Sequence, residues 1–252
     1  MNIKQKLAAG KLVVGGWLQV AHPSVAEAIR SCSLDFLTVD AEHGDCDLSA
    51  IANTLRGMGD IPGFVRVREN DTLAIRQALD CDARGIFVPM VETAEGSAHA
   101  VAAAKYPPKG IRGFAYCRAN GWGNEFDMYT AAANEQITVI VMIESATAID
   151  NIDAILSVDG VDGVFIGPYD LSGSLGVIGQ LDHPKLLEAQ KHMLDACRRH
   201  SKAAGIHLVQ PDTKSTASVI EQGFSLIAIG MDTVFLANGM KNALSMLQRH
   251  IG

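Results

Sequence analysis

The residues of this chain able to do chemistry stand at the ends of apolar runs. Residues 138–143 run straight into Glu144, and residues 161–166 are stopped by Gly167 and Pro168 just before Asp170. Short apolar runs bounded by turn residues read as buried strands. Asp40, Glu42 and His43 follow a third run, 34–39, and Arg66 lies near the end of a fourth, 63–67. Two carboxylates delivered to one end of a parallel sheet make a site for a hard divalent cation. Oxygen ligands favour Mg²⁺ or Mn²⁺, with Co²⁺ or Zn²⁺ also able to bind. Glu144 and Asp170 are the candidate ligands, with water and a bidentate substrate in the remaining positions. His43 is a candidate general base, because imidazoles change protonation near neutral pH. Asp80, at the end of a predicted helix, is a candidate to orient it. The fork of Arg66 suits a carboxylate or an enolate oxygen.

Each residue also has a plainer reading. Glu144 precedes a helix predicted to start at Ala146, where an acid stabilises the N-terminus. Asp170 precedes no clear helix, so capping explains it less well. His43 alone reads as a surface or capping residue, and Arg66 is equally explained by an ion pair with Asp40 or Glu42. Polar residues collect at strand ends because loops are exposed. That rule alone predicts Ser, Asn, Lys and Gly there as readily as Glu, His, Arg and Asp.

The elements that must position these groups alternate regularly. Strands are predicted at 12–20, 34–39, 63–67, 85–88, 138–143, 161–166, 203–209 and 225–229. Helices fall between and after them, at 24–31, 48–58, 71–79, 93–104, 146–156, 184–200, 212–222 and 232–250. Eight strand–helix units predict an α/β chain closed as a (β/α)8 TIM barrel, with residues 1–252 as one domain and the site at the carboxyl ends of the strands. A doubly wound open sheet is the competing architecture. Two stretches read as loops, 106–127 and 171–183. A long loop in a compact domain is usually functional or disordered.

Several function classes are excluded or disfavoured. The net charge is −7 without a basic run, which argues against a nucleic-acid partner. No apolar stretch is long enough for a bilayer, and the lysine-containing N-terminus lacks the apolar segment of a secretion signal. The five cysteines are odd in number and form no C-x-x-C pair, as expected of reduced thiols in a cytoplasmic protein. There is no P-loop and no G-x-S-x-G elbow, and residues 110–114 do not sit between a strand and a helix as a dinucleotide fingerprint must. The bodies of the last four strands carry no lysine for a Schiff base, which counts against a lysine-based aldolase.

Six segments together resemble one family: F-L-T-V-D-A-E-H-G (36–44), F-V-R-V (64–67), V-P-M-V-E-T-A-E (88–95), K-Y-P-P-K-G-I-R-G (105–113), V-M-I-E (141–144) and V-D-G-V-F-I-G-P-Y-D-L-S (161–172). The chain resembles the HpcH/HpaI aldolases, metal-dependent class II pyruvate aldolases, from about Gly15 to the C-terminus. The resemblance implies a barrel with a divalent cation on Glu144 and Asp170. It implies that Arg66 binds the pyruvate oxygens, with Gly167, Pro168 and Ala115 also at the substrate. It implies that His43, paired with Asp80 and with Asp40 nearby, supports proton transfer. The reaction implied is retro-aldol cleavage of a 4-hydroxy-2-oxo acid to pyruvate and an aldehyde, in a homo-oligomer (a hexamer) whose last helix is exchanged between subunits. The stripe Val234, Leu236, Met240, Leu244, Leu247 and Ile251 suits such packing, and it equally suits docking on the same barrel. Two departures stand out. Met142 replaces the glutamine some members carry beside the metal carboxylate, and the loop from Phe114 to Trp122 does not follow the family wording. A CoA-ester lyase or Claisen-type condensing enzyme of the same superfamily is one alternative. A catalytically silent barrel used as a binding module is another.

Overall fold

Eight short β-prone segments, each followed by helical sequence, close on themselves. The computed structural model describes residues 1–251, with side-chain surroundings given through residue 248. The strands are β1 (Val13–Leu18), β2 (Phe36–Asp40), β3 (Gly63–Arg66), β4 (Gly85–Val88), β5 (Thr138–Ile143), β6 (Gly163–Ile166), β7 (Ala203–Leu208) and β8 (Leu226–Ile229). Each pairs in parallel with the next, and β8 pairs with β1, so the sheet is a closed (β/α)8 barrel and not an open one.

Aromatic and glycine residues set the inside of that barrel. Register places Gly15 of β1 opposite Phe36 of β2, Phe64 of β3 opposite Gly85 of β4, and Phe165 of β6 opposite Gly205 of β7. A methyl group on any of these glycines would overlap the facing ring. The missing side chains leave room for Phe36, Phe64, Phe87, Phe165 and Trp17 to pack as one interior cluster. Interiors are close-packed, so bulk on one strand demands its absence on the neighbour. A separate, larger cluster fills the space between the strands and the outer helices.

Four features of the outer layer differ from the sequence expectation. A helix at Ile3–Ala8 sends Ile3 and Leu7 into the interior cluster. Helix Phe126–Gln136 lies partly inside and partly beyond the expected loop at 106–127; its apolar spacing is weak and no side chain caps it. The single helix expected at 146–156 is two, Ala146–Asp150 and Ile152–Ser157. Helix Pro168–Ser174 replaces the start of the second expected loop. Proline both stops a strand and opens a helix from its first position, and Gly173 and Ser174 masked the helical pattern.

The last helix, Asp232–Ile251, is fastened to the barrel at its first residue. The buried Asp232 carboxylate accepts the Gln19 and Val20 backbone N–H groups at 2.9 Å each. Beyond this anchor Leu236, Met240, Leu244 and Leu247 are all more than half exposed, so that stripe does not dock on its own barrel. Val234 is half-buried, and the Ile251 side chain lies outside the described residues. Among the described residues no helix is long and apolar enough to cross a membrane.

The facing-ring device yields a direct test. Gly85→Ala pushes a methyl into the Phe64 ring and lowers stability by about 1–3 kcal/mol through overpacking. Gly113→Ala meets only ordinary contact with Arg76 and shifts stability by less than about 0.5 kcal/mol. Urea denaturation of the two variants beside the parent checks both.

Candidate active site

The site begins with a register pair. Asp40 of β2 stands opposite Arg66 of β3 at the carboxyl end of the barrel. Arg66 Nε donates to Asp40 Oδ1 at 2.9 Å and Nη2 to Oδ2 at 2.5 Å. The remaining nitrogen, Nη1, lies 3.0 Å from Glu42 Oε2. Asp40 is completely buried and also accepts the Trp17 indole N–H at 3.1 Å and the backbone N–H groups of Glu42 and His43 at 3.2 and 3.1 Å. Burial alone would raise this carboxyl, but the bonds and charge of Arg66, with the His43 and Trp17 donors, hold it below the ordinary carboxylate value. Arg66 thus makes the structural ion pair and still lines the cavity described below; the two readings of it are compatible.

Glu144, just past β5, is buried, and Ser145 is the residue that caps the following helix. Capping therefore does not explain Glu144. Its Oε2 accepts the Met90 backbone N–H at 2.9 Å, which Met90 presents from a left-handed conformation with φ of 53°. A β-carbon at Gly167 would come within 2.8 Å of Glu144 Oε1, so the absence of a side chain there leaves the carboxylate its place. Burial raises the Glu144 carboxyl; the Met90 bond opposes this, the charges of Glu42 and Asp170 reinforce it, and Arg66 opposes it. Asp170 is exposed and lies in the first turn of helix Pro168–Ser174, a correction to its expected position in a loop.

Arg66, Glu144, Gly167, Pro168 and Asp170 line one cavity of about 610 Å³. The charges of Glu42, Glu144 and Asp170 act on one another there, which a cation would relieve. The donor set fits a hard divalent ion: two carboxylates facing open space. Among the described residues no group of three or more His, Cys, Asp or Glu is arranged around a common point, so water and substrate would have to complete the coordination.

Four expected site residues do not line this cavity, and one of them, Asp40, is buried behind Arg66. His43 is largely exposed; its Nε2 lies 3.8 Å from Glu42 Oε2, and its backbone alone touches Asp40. Asp80 does not orient His43 within this chain. It pairs with Arg112 at 2.8 Å, because that fully buried guanidinium, packed over the rings of Tyr106 and Tyr129, requires a counter-charge. Ala115 is exposed in the 106–127 segment, and its carbonyl accepts from Asn120. Trp17 and His207 are among the cavity residues that went unnoticed in the sequence. The visible signal for His207 was a single polar residue in the otherwise apolar A-A-G-I-H-L of β7. Met142 also lines the cavity.

The model of the HpcH/HpaI aldolase/citrate lyase family matches residues 14–239. The 4-hydroxy-2-oxovalerate aldolase of Novosphingobium aromaticivorans is 37% identical, over 99% of this chain and 95% of its own length. The 5-keto-4-deoxy-D-glucarate aldolase of Klebsiella pneumoniae is 37% identical, over 92% and 90%. The crystal structure of a HpcH/HpaI aldolase/citrate lyase family protein from Burkholderia cenocepacia superposes with a TM-score of 0.93 at 34% identity, covering 98% of each chain.

The buried pair gives a prediction with a definite sign. Folding depresses the Asp40 carboxyl, so its contribution is present above the ordinary carboxylate value and is lost as pH falls through the depressed one. Asp40→Asn leaves Arg66 with Glu42 as its one counter-charge. It costs about 3 kcal/mol at neutral pH and less at about pH 3, below the ordinary carboxylate value, where the parent has begun to lose the same contribution. Urea unfolding of both proteins at the two pH values checks this.

Proposed function

The chain belongs to the HpcH/HpaI aldolase/citrate lyase family, and we propose that it is a divalent-metal-dependent aldehyde lyase that cleaves a 4-hydroxy-2-oxo acid to pyruvate and an aldehyde. The observation that carries this reading is the meeting of Glu144, Asp170 and Arg66 in one cavity at the carboxyl end of the barrel.

Glu144 and Asp170 would hold the cation, with Mg²⁺ or Mn²⁺ favoured by an all-oxygen set and Co²⁺ or Zn²⁺ tolerated. When bound, it supplies Lewis-acid stabilisation for the negative charge that develops on the substrate's 2-oxo oxygen. Arg66 donates hydrogen bonds to the oxygens of the pyruvyl portion, and Asp40 keeps its fork aimed. The exposed His43 ring, outside the cavity wall but at the same end of the barrel, is assigned to take the proton from the C4 hydroxyl. The oxygen's electron pair closes the aldehyde carbonyl, the C3–C4 bond breaks, and its electrons pass onto the C2–C3 unit. After the aldehyde leaves, a proton delivered to C3 completes pyruvate. Gly167 and Pro168 border the substrate. Asp80 pairs with Arg112 through Oδ1 within this chain, which leaves Oδ2 open for the orienting role beside the base.

The exposed stripe of helix Asp232–Ile251 supports assembly of several copies, a hexamer in this reading, with that helix exchanged. The odd set of five cysteines supports a cytoplasmic setting in this reading.

The test is pyruvate release from a racemic 4-hydroxy-2-oxo acid after chelator treatment and resupply of Mg²⁺, Mn²⁺ or Co²⁺. Activity returns with metal in the parent and falls on the order of a hundredfold or more in Glu144→Ala and Asp170→Ala. Full activity in stripped protein would sink the metal assignment. No pyruvate with any metal would sink the lyase.

A further inference from the structure

Strand alternation turns Ala203, Gly205 and His207 of β7 to the same side. Ala203 belongs to the interior cluster and Gly205 faces the Phe165 ring, so His207 points into the barrel mouth. Its ring stacks on Trp17 with centroids 4.9 Å apart. Its Nε2 lies 2.8 Å from the Gly230 carbonyl oxygen. A carbonyl only accepts, so the proton sits on Nε2. Burial keeps the ring below its usual titration range; the Gly230 bond opposes this, Arg66 acts with it, and Asp40 opposes it. A neutral ring so held has one lone pair left, on Nδ1. Among the described residues none donates to that atom, and it is not sealed from solvent.

This acceptor lies on the wall of the cavity built by the end of β7, together with Leu208, Val209 and Gln210. Glu144 and Asp170 come from the ends of β5 and β6, and β7 is the next strand round. The cavity continues from these carboxylates past β7, so a substrate held at its oxo-acid end by Arg66 and the two carboxylates has this wall open to its far end. An alkyl group there would bury the Nδ1 lone pair without a partner, and a carboxylate would face it with a second acceptor. A hydroxyl satisfies it.

We propose that His207 is a specificity-determining residue whose Nδ1 accepts a hydrogen bond from a hydroxyl on C5 of the substrate, so that the preferred aldehyde product is a 2-hydroxyaldehyde. The inference rests on the lyase reading above and names its substrate class.

The experiment compares kcat/KM for 4,5-dihydroxy-2-oxopentanoate, which gives glycolaldehyde, with that for 4-hydroxy-2-oxopentanoate, which gives acetaldehyde. Pyruvate is measured in both cases on the metal-loaded enzyme. The parent prefers the dihydroxy acid by about tenfold or more, since a site built to bond a hydroxyl rejects the analogue that lacks it. His207→Leu brings the ratio to near one, and His207→Gln, whose side-chain oxygen can accept, keeps part of the preference. A parent without that preference overturns the inference, as does a His207→Leu variant with the parent's ratio or with both rates reduced alike. A parent that cleaves neither acid overturns the lyase reading and this inference with it.

Discussion

The rest of the site depends on one buried ion pair. Removing Asp40 and Arg66 from water costs several kcal/mol for each ion, and their attraction offsets this only when every donor and acceptor is matched. The register of β2 on β3 meets that condition by setting the two residues side by side. The indole of Trp17 and the turn carrying Glu42 and His43 then supply the remaining donors. The pair thereby joins the ends of three strands and fixes the turn on which the candidate base stands. It also leaves one guanidinium nitrogen directed to Glu42 in a cavity otherwise rich in negative charge.

That constraint holds because the barrel beneath it is stiff. The rings of Phe36, Phe64, Phe87, Phe165 and Trp17 fill the interior below the site, and Phe36, Phe64 and Phe165 are each matched by a glycine on a neighbouring strand. A packed interior resists small displacements. The groups at the strand ends therefore inherit their positions from residues that do no chemistry.

The architecture and half of the site were legible because they break a pattern. Glu144, Asp170 and Arg66 are charges at the ends of apolar runs, and such interruptions show in a linear sequence. What did not show is competition among charges far apart in the chain. Within the chain Asp80 meets Arg112, which is buried between two tyrosines, and not His43. Helix Pro168–Ser174 was hidden because Pro168 serves two elements at once and small residues blurred its periodicity. The capping explanation of Glu144 gave way for a similar reason. Ser145 beside it takes that role, a choice local propensity leaves open.

Glu144 is held by a backbone group rather than by a side chain, and this decides which changes residue 90 tolerates. Met90 is 57% exposed, while its N–H carries the bond to the carboxylate. Nearly any residue supplies the same N–H, and one at ease in the left-handed region supplies it with less strain. Proline alone lacks it. The position is thus permissive in its letter and strict in its geometry, so an alignment would show little there while the carboxylate beside it depends on that site completely.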